Sequence, residues 1–596
     1  MGTDRWGIDD GWWGNDGAWH EADHDTVAAL RDLFGGEDGP VSGPPMWFVR
    51  RGDRSPVDDG CTLVLEDGTD LGEIGSLPHD LPLGFHLLTP ADGGPVTRLA
   101  CIADRVGELP VVGGSRRRWG VTVQVPSART ASSWGVGDAR VLHTMGRWLA
   151  SRGGSVLGLS PVGDAIPVPP RQQSPYSPSS RRFLDPLIIA LDPIDDAEAQ
   201  RAADLRALPE LDRDAVFDAK LAALERRWAG VPPADRPSPG FGTPIGTHAL
   251  YCTLAEYHRG GWQSWPIEFR HPESAAVAAF ARSSAERISF WRWVQERAES
   301  DLAGTADTLR ELGVLLLGDL PVGVDPSGAD AWVDQDQLAL GWSVGAPPDP
   351  IGPHGQDWGL PPYDPHQLRA VGYAPFLATL RANFARWAVL RIDHVMGLFR
   401  LFWIPPGADP AHGTYVRAHG HELVDLVVTE AVRAGSAVVG EDLGTVEENV
   451  RETLADRRIF GTRVAWFEHA APEDWTEASL GTLTTHDLPT VAGALSETDP
   501  TADRSMIDAL HDFAQRGHED DHDDVAVAAH QRLGGASSEL VLATLEDLVG
   551  SRLRVNLPGT VDQYPNWRLP LHTGVDELDE HPLAGRIADA VAERRR

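Results

Sequence analysis

The chain has 596 residues, of which 42% are hydrophobic and 23% charged, and its formal net charge is −36. This composition is typical of globular proteins and excludes the disordered, collagen-like and disulfide-scaffold classes. The acidic excess argues against nucleic acid as a partner, because phosphate-backbone binding depends on clustered lysine and arginine side chains. The length exceeds what one hydrophobic core usually organises, so we expect a large domain with an accessory region.

The cysteine and hydropathy patterns bear on the compartment. The three cysteines, Cys61, Cys101 and Cys252, are widely spaced and include no Cys-x-x-Cys pair, which favours a reducing environment. The sequence has no run of eighteen apolar residues, and its first twelve residues lack the basic and then apolar pattern of a signal peptide. We therefore expect a cytoplasmic protein with no membrane partner.

The first elements in chain order predict a small accessory domain over residues 1–113. Its first forty residues show a helical pattern, and residues 61–71 and 81–88 alternate as the strands of hairpins do. From residue 114 onward, short apolar and β-branched runs alternate with longer helical patterns. The eight runs predicted as strands cover residues 119–125, 155–162, 313–324, 388–395, 436–443, 461–467, 480–487 and 553–560.

Eight strands that alternate with helices predict an α/β fold, a (β/α)₈ TIM barrel over residues 114–596, with a doubly wound sheet as the alternative. The stretch between the second and third predicted strands is far longer than a normal crossover. It contains helical patterns at residues 195–229 and 275–297. We therefore expect inserted helical subdomains at about residues 190–305.

Three of the apolar runs end in acidic residues. Asp393 follows Val-Leu-Arg-Ile, Glu441 follows Val-Val-Gly, and Asp487 follows Leu-Thr-Thr-His. In a barrel the carboxyl ends of the strands meet at one mouth, so the three carboxylates are expected to surround one ligand. Retaining glycoside cleavage needs an ionised carboxylate to attack the anomeric carbon and a protonated carboxyl to donate to the leaving oxygen. One such acid alone would favour a salt-bridged strand end, but three together favour catalysis.

Residues beside these acids refine the assignment. Arg391 lies two positions before Asp393 and shares its face of the strand, so we expect it to hold that carboxylate ionised. Asp442 points to the opposite face from Glu441 and is expected to be structural. His394 and His486 are candidate donors to sugar hydroxyls.

These runs resemble the catalytic motifs of the amylomaltase or 4-α-glucanotransferase (disproportionating enzyme) family, which is related to the α-amylase superfamily. The motifs are Arg391-Ile-Asp-His, Gly440-Glu-Asp-Leu-Gly, Thr485-His-Asp-Leu-Pro-Thr and the string that runs from Ser174-Pro-Tyr-Ser-Pro to Asp185-Pro. Residues 318–324, 345–349, 355–359 and 559–568 match as well, so the resemblance spans almost the whole chain. The chain departs from many members at Ser327, where they carry aspartate, and at Leu488-Pro489.

The resemblance implies that Asp393 is the nucleophile, Glu441 the acid/base and Asp487 a third carboxylate that stabilises the transition state. Asp319 is a secondary candidate for orienting the nucleophile or a sugar hydroxyl, and Asn566 is a secondary candidate for completing the site by hydrogen bonding. A structural role at the barrel rim is the alternative for both.

The resemblance also implies that aromatic rings contact the glucose units. Tyr176, in the loop that begins at Ser174, and Trp358 are the candidates, with packing on the barrel rim as the alternative. The chain has 21 tryptophans against 7 tyrosines, a surplus that suits stacking on sugars, although core packing also explains it. The Gly/Pro-rich residues 345–359 are predicted to cover the acceptor side as a lid, with an inert surface loop as the alternative.

The function implied is that of a retaining 4-α-glucanotransferase, which moves segments between maltodextrins by double displacement and releases glucose. Maltooligosaccharides and glycogen- or starch-derived α-1,4-glucans are the expected partners. One alternative is a hydrolase that uses the same acids, and another is a non-catalytic glucan-binding protein, which predicts the loss of at least one acid. We expect no cofactor and no metal, and we interpret the His- and Asp-rich residues 518–524 as a solvated loop.

Overall fold

The computed structural model describes residues 2–14, 17–109, 116–348, 354–444 and 446–595. The strands are β1 Gly11–Trp13, β2 Trp19–Glu21, β3 Met46–Arg50, β4 Pro56–Val64, β5 Asp70–Ser76, β6 Gly84–Thr89, β7 Thr97–Ile102, β8 Arg118–Val123, β9 Val156–Leu159, β10 Gly163–Asp164, β11 Ser180–Leu184, β12 Leu315–Leu320, β13 Ser343–Ala346, β14 Gln356–Leu360, β15 Val389–Ile392, β16 Arg400–Ile404, β17 Thr414–Arg417, β18 Ala437–Gly440, β19 Gly461–Val464, β20 Ser479–Thr482 and β21 Leu540–Thr544.

The α-helices are α1 His24–Leu33, α2 Ala139–Ser151, α3 Asp196–Arg206, α4 Arg213–Ala229, α5 Pro244–His258, α6 Ala275–Ser283, α7 Ala285–Glu311, α8 Ala329–Val333, α9 Pro365–Ala370, α10 Ala374–Phe384, α11 Gly420–Ala434, α12 Glu448–Asp456, α13 Val491–Leu495, α14 Arg504–Ala514, α15 His522–Gly534, α16 Leu545–Leu548 and α17 Pro582–Arg595. Across the described ranges, no helix combines the length and the apolar character that a membrane span requires.

The largest sheet has eight strands in the order β18-β15-β12-β9-β8-β21-β20-β19. Read as a ring, this is the chain order of a (β/α)₈ barrel, because the two end strands, β18 and β19, are consecutive along the chain. Neighbouring pairs such as β8–β9, β9–β12 and β20–β21 are parallel. The predicted barrel is therefore confirmed, and the doubly wound alternative is wrong.

The barrel strands are buried on both faces, as parallel strands covered by helices are. All residues of β9, β18, β20 and β21 are buried. Seven of the eight predicted strands occur where the sequence places them, but the eighth prediction is wrong. Residues 553–560 form no strand, and β21 at Leu540–Thr544 takes that position in the sheet. Its Leu-Val-Leu-Ala run continues into Leu-Glu-Asp-Leu, a composition that favours helix over strand, so the local pattern did not reveal it.

One compact unit comprises Met1–Pro110, Asp334–Ala385 and Ile392–Ile459. It contains a five-stranded sheet in the order β3-β7-β6-β4-β5 and a four-stranded sheet in the order β14-β13-β16-β17. The predicted hairpin strands at residues 61–71 and 81–88 correspond to β4, β5 and β6. Among the described residues of the first forty, the one α-helix is α1, whose N-cap Asp23 accepts from the N–H groups of Asp25 and Thr26. The same segment contains the antiparallel β1–β2 hairpin.

The other compact unit comprises Val111–Val333, Arg386–Arg391 and Phe460–Arg596. The stretch between β9 and β12 contains the antiparallel β10–β11 pair and then helices α3 to α7, so the predicted helical patterns at residues 195–229 and 275–297 are confirmed. The domain boundary predicted at residue 113 and the insertion predicted at about residues 190–305 stay predictions.

Candidate active site

The candidate acids all belong to the carboxyl ends of barrel strands. Asp393 directly follows β15, Glu441 directly follows β18, and Asp487 lies five residues after β20 ends at Thr482. Asp319 is the penultimate residue of β12. In barrels of this type catalytic side chains come from the carboxyl ends of several strands.

Backbone hydrogen bonds join the segments that carry Asp393 and Glu441. The N–H of Glu441 donates to the carbonyl of Ile392 over 3.0 Å, and the N–H of Val395 donates to the carbonyl of Glu441 over 2.9 Å. The residues on either side of the Asp393–His394 pair are therefore tied to Glu441 by main-chain contacts, which do not depend on side-chain rotamers.

The carboxyl group of Glu441 is fixed in orientation by two main-chain donors. The N–H of His394 donates to Oε2 over 2.9 Å, and the N–H of Leu443 donates to Oε1 over 2.7 Å. The backbone of His394 is left-handed, with φ of 46° and ψ of 62°. Such a conformation is strained in a residue other than glycine and is most often found at functional sites.

His394 itself is packed and shielded. Burial lowers the pKa of its imidazole, against the opposing effect of Asp393, so the ring is neutral near pH 7. Trp358, in β14, packs edge to face on this ring with a centroid separation of 5.3 Å. The indole Nε1 of Trp358 donates to Gln356 Oε1 over 3.1 Å. The half-buried ring of Trp358 therefore lies in the neighbourhood of the residue that orients Glu441.

A second group of candidates is linked through Asp319. Arg391 Nη1 lies 2.6 Å from Asp319 Oδ1, and the hydroxyl of Tyr176 donates to Asp319 Oδ2 over 2.7 Å. Asp319 thus links Tyr176 and Arg391 in one hydrogen-bonded network. The expected pairing of Arg391 with Asp393 stays a prediction. Ser174 shapes the loop before Tyr176, since its hydroxyl accepts from the Tyr176 N–H over 3.2 Å.

Asp487 is held as a carboxylate. Burial opposes its ionisation, but His486 by charge and hydrogen bond, then Asn556 and Arg391, lower the pKa of Asp487 to about 2. His486 Nε2 lies 3.3 Å from Asp487 Oδ2, and Asn556 Nδ2 donates to Oδ1 over 2.6 Å. Arg554 Nη1 donates to the Asp487 carbonyl over 2.7 Å, which fixes the main chain at the same point.

Three aromatic rings form a cluster beside this carboxylate. Tyr176 stacks on His486 with a centroid separation of 4.6 Å and an interplanar angle of 24°. Trp567 lies 5.5 Å from each of these two rings. Its backbone has φ of 62°, again in the left-handed region.

Several of these neighbours were not predicted from the sequence. Asn556, Arg554 and Trp567 belong to residues 553–568, and the sequence pattern predicts a strand over the first part of this segment, residues 553–560. The matched motif at residues 559–568 was the signal that pointed to this segment. Glu546, two residues after β21 ends, is also buried, and its Oε1 has no hydrogen-bond partner among the described residues.

Asn566 and Asp442 make structural contacts, and the predicted lid at residues 345–359 is described only in part. Asn566 Oδ1 accepts from the N–H of Leu557 and its Nδ2 donates to the Thr560 carbonyl, so the amide stabilises the loop over residues 557–566. Asp442 is buried and lies 3.1 Å from Arg451 Nε, as expected of a structural acid. The predicted lid at residues 345–359 includes strand residues of β13 and β14, whereas residues 349–353 lie outside the described ranges.

One buried group within the described ranges brings three potential metal ligands together. Atoms of Asp164, His248 and Cys252 lie within 4.8 Å of one another. His248 Nε2 is 2.7 Å from Asp164 Oδ2, and burial raises the pKa of Asp164 to about 6 against the effect of His248. Because Asp164 and His248 already form a hydrogen-bonded pair, we assign this group a structural role.

Residues 518–524 were predicted to form a solvated loop, and this prediction is wrong for the end of the run. Helix α15 begins at His522, and Asp521 caps it by accepting from the N–H of Asp523. Asp524 forms an ion pair with Arg586. Part of this acidic run therefore begins a helix, because carboxylates stabilise the first helical turn.

A parallel (β/α)₈ barrel with carboxylates after its strands and aromatic rings beside them defines the class of barrel enzymes that break and form glycosidic bonds. The family model described as 4-alpha-glucanotransferase matches residues 123–576, and the chain belongs to this family. The expected fold, family and transfer of α-1,4-glucan segments are thereby confirmed.

Individual relatives agree. The chain is 38% identical over 583 residues to the 4-alpha-glucanotransferase of Mycobacterium tuberculosis (strain ATCC 25618 / H37Rv). The match covers 86% of this chain and 79% of the relative. The chain is 32% identical over 585 residues to the 4-alpha-glucanotransferase of Haemophilus influenzae, covering 86% of this chain and 83% of the relative.

Solved structures give the same result. The crystal structure of amylomaltase from Corynebacterium glutamicum is similar with a TM-score of 0.84 and 28% identity, and the match covers 98% of each chain. Amylomaltase from Streptococcus agalactiae, solved in complex with acarbose, has a TM-score of 0.68 at 17% identity, covers 80% of this chain and 99% of its own, and supports the fold.

Proposed function

We propose that this 4-alpha-glucanotransferase works by double displacement with Asp393 as nucleophile, Glu441 as acid/base and Asp487 as a third carboxylate. The observation that carries the proposal is the pair of main-chain hydrogen bonds that fixes both carboxyl oxygens of Glu441, one of them donated by the residue after Asp393. A catalytic acid has to be held in a productive geometry, and main-chain donors from neighbouring strand ends do so without rotamer freedom.

In the first step a carboxylate oxygen of Asp393 attacks the anomeric carbon of an α-1,4-linked glucose, and the bond from that carbon to the leaving oxygen breaks. The proton of Glu441 goes to the leaving oxygen, and the product is a β-linked glycosyl-enzyme. In the second step Glu441 takes the proton of an incoming 4-hydroxyl. The hydroxyl oxygen then displaces Asp393, and two inversions give retention of configuration.

Asp487 supplies a fixed negative charge during both steps. A pKa of about 2 keeps it ionised at every pH at which the enzyme would work. A permanent carboxylate stabilises the positive charge that develops on the sugar ring, and its oxygens can accept from ring hydroxyls. The residues beside it, His486 and Tyr176, are proposed to contact the sugar with donors and with a ring face. Arg391, His394, Asp319, Ser174, Trp358 and Asn566 complete the proposed substrate contacts or support them.

The substrates proposed are maltodextrins, maltooligosaccharides and the α-1,4-glucan chains of glycogen or starch, with glucose released when maltotriose is the donor. A cytoplasmic location is proposed as well. It is supported by the buried cysteines Cys101 and Cys252, which are thiols, since cysteine thiols persist in a reducing compartment.

The test is incubation of the purified protein with maltotriose, with glucose and the oligosaccharide ladder followed together. We expect glucose and longer maltodextrins from the wild type, and turnover lower by at least about 10³-fold in Asp393→Asn. Asp456→Asn, an exposed aspartate at the end of α12, is the matched control and should keep wild-type turnover. Shorter sugars alone would mean hydrolysis, and a fully active Asp393→Asn variant would remove the proposed nucleophile.

A further inference from the structure

The β1–β2 hairpin near the start of the chain carries a concentration of aromatic rings. Its strands pair antiparallel, with Gly11 opposite Glu21, Trp12 opposite His20 and Trp13 opposite Trp19. Because side chains alternate between the two faces of a strand, Trp12 and His20 share one face, whereas Trp13, Trp19 and Glu21 share the other. The two faces therefore have separate roles.

The face with Trp12 anchors the hairpin. Trp12 is only 5% exposed, and its ring packs edge to face on Phe402 at a centroid separation of 5.2 Å. Tyr415 is partly buried against the same small core. This packing uses one tryptophan of the hairpin, Trp12, and the other two tryptophans lie on the opposite face.

The face with Trp13 is open. Trp13 is 59% exposed, and its ring meets that of Trp19 at 5.4 Å with an interplanar angle of 65°. The indole of Trp19 lies directly on Gly11, since a Cβ atom at Gly11 would come within 2.6 Å of its ring. Glu21, exposed and paired with Gly11, places a carboxylate at the edge of the same face.

The chemistry of this face fits a sugar better than a protein. An exposed indole offers an apolar surface to the C–H groups of a pyranose, and a carboxylate beside it accepts from hydroxyls. The two rings together expose at most about 300 Å², well below the roughly 800 Å² per partner of a standard protein interface. The net charge of −36 also disfavours an anionic ligand, whereas a neutral glucan is not repelled.

We propose that Trp13, Trp19 and Glu21, none of which is a proposed catalytic residue, form a surface binding site for α-1,4-glucan chains. Such a site would hold a long donor or acceptor near the enzyme and raise its effective concentration at the reacting centre. The ligand class follows from the family's substrate, so this inference does not depend on which acids perform the reaction.

The experiment compares the wild type, Trp13→Ala/Trp19→Ala and Tyr257→Ala in native gels that contain glycogen, and measures kcat/KM for glycogen and for maltotriose. Tyr257 is the matched control because its ring is 71% exposed and belongs to helix α5 of the other compact unit. We expect the double variant to bind glycogen about tenfold more weakly. Its ratio of kcat/KM for glycogen to that for maltotriose should fall by a similar factor.

A second variant keeps the inference testable if the alanine substitutions disturb the hairpin. Trp13→Phe/Trp19→Phe retains two rings and should recover most of the glycogen binding. Wild-type glycogen retention by the double alanine variant would overturn the proposal. So would an equal loss in Tyr257→Ala, or an equal fall of kcat/KM for both substrates.

Discussion

The main-chain N–H of His394 lies 2.9 Å from Glu441 Oε2, so the residue that follows the proposed nucleophile orients the proposed acid/base. His394 adopts φ of 46° at this contact, a conformation that costs a residue other than glycine about 1–3 kcal/mol. The surrounding barrel compensates for that cost. The two halves of the proposed double displacement are therefore coupled through one strained backbone position.

Substitution of His394 by valine and by asparagine separates the backbone from the ring. Asparagine tolerates the left-handed region, whereas a β-branched side chain does not. Both variants lose the imidazole, but only valine should displace the N–H from Glu441. We expect the unfolding free energy of His394→Val to be about 1–2 kcal/mol lower than that of His394→Asn. Its kcat on maltotriose should be about tenfold lower than that of His394→Asn. Urea unfolding and initial rates measure both, and equal values for the two variants would contradict the coupling.

Asn556 should matter for catalysis although the sequence predicts only a strand at this position, over residues 553–560, and no motif includes it. Its amide donates to Asp487 Oδ1 over 2.6 Å, and a hydrogen bond to a charged group contributes about 1.5–3 kcal/mol. We expect Asn556→Ala to lower kcat/KM for maltotriose by about 10- to 100-fold. Asn449→Ala, at an exposed position in α12, should leave it unchanged. A variant of Asn556 with wild-type kcat/KM would show that Asp487 needs no such support.

Tyr176 offers a ring and a hydroxyl that can be tested apart. Tyr176→Phe keeps the stacking on His486 but removes the donor to Asp319 Oδ2, whereas Tyr176→Ala removes both. We expect kcat/KM to fall by about tenfold for phenylalanine and by about 100-fold or more for alanine. Tyr257→Phe, at an exposed site, is the control. If the phenylalanine variant equals the alanine variant, the ring makes no separate contribution.

Glu546 predicts a pH dependence of stability. Burial, then the charge of Asp547, raises the pKa of Glu546 from its usual 4.5 to about 7, against its own main-chain hydrogen bond and the field of His486. Between these two values the folded protein keeps the proton while the unfolded chain releases it. The unfolding free energy therefore falls as pH rises from 4.5 to about 7, by about 3 kcal/mol at roughly 1.4 kcal/mol per pH unit.

Glu546→Gln cannot ionise and should lack that fall. We measure the unfolding free energy of the variant and of the wild type in urea at pH 5 and at pH 8. The difference, variant minus wild type, should be about 3 kcal/mol larger at pH 8 than at pH 5. Glu519→Gln, at an exposed position, serves as the control and should show the wild-type profile. A constant difference between Glu546→Gln and the wild type at both pH values would mean that Glu546 is ionised in the folded protein throughout.

The difference between the predicted and the observed strands shows where local pattern fails. Seven barrel strands were found because β-branched runs end in polar turns, as at residues 388–395. The eighth was missed because Leu540–Thr544 is rich in leucine and alanine and runs directly into the short helix α16, so its composition favours helix. Parallel pairing with β8 and β20 overrides that preference.

The sequence by itself determined the barrel, the family and the identity of the three proposed acids, because each acid follows an apolar run and lies within a distinctive motif. Only the tertiary structure decided which side chains support them. Asn556 bonds Asp487 across 69 positions and Tyr176 bonds Asp319 across 143, and neither pair shares a periodic pattern. Such contacts depend on how the strand ends and loops pack. A local pattern records only the burial of one element, so it cannot specify them.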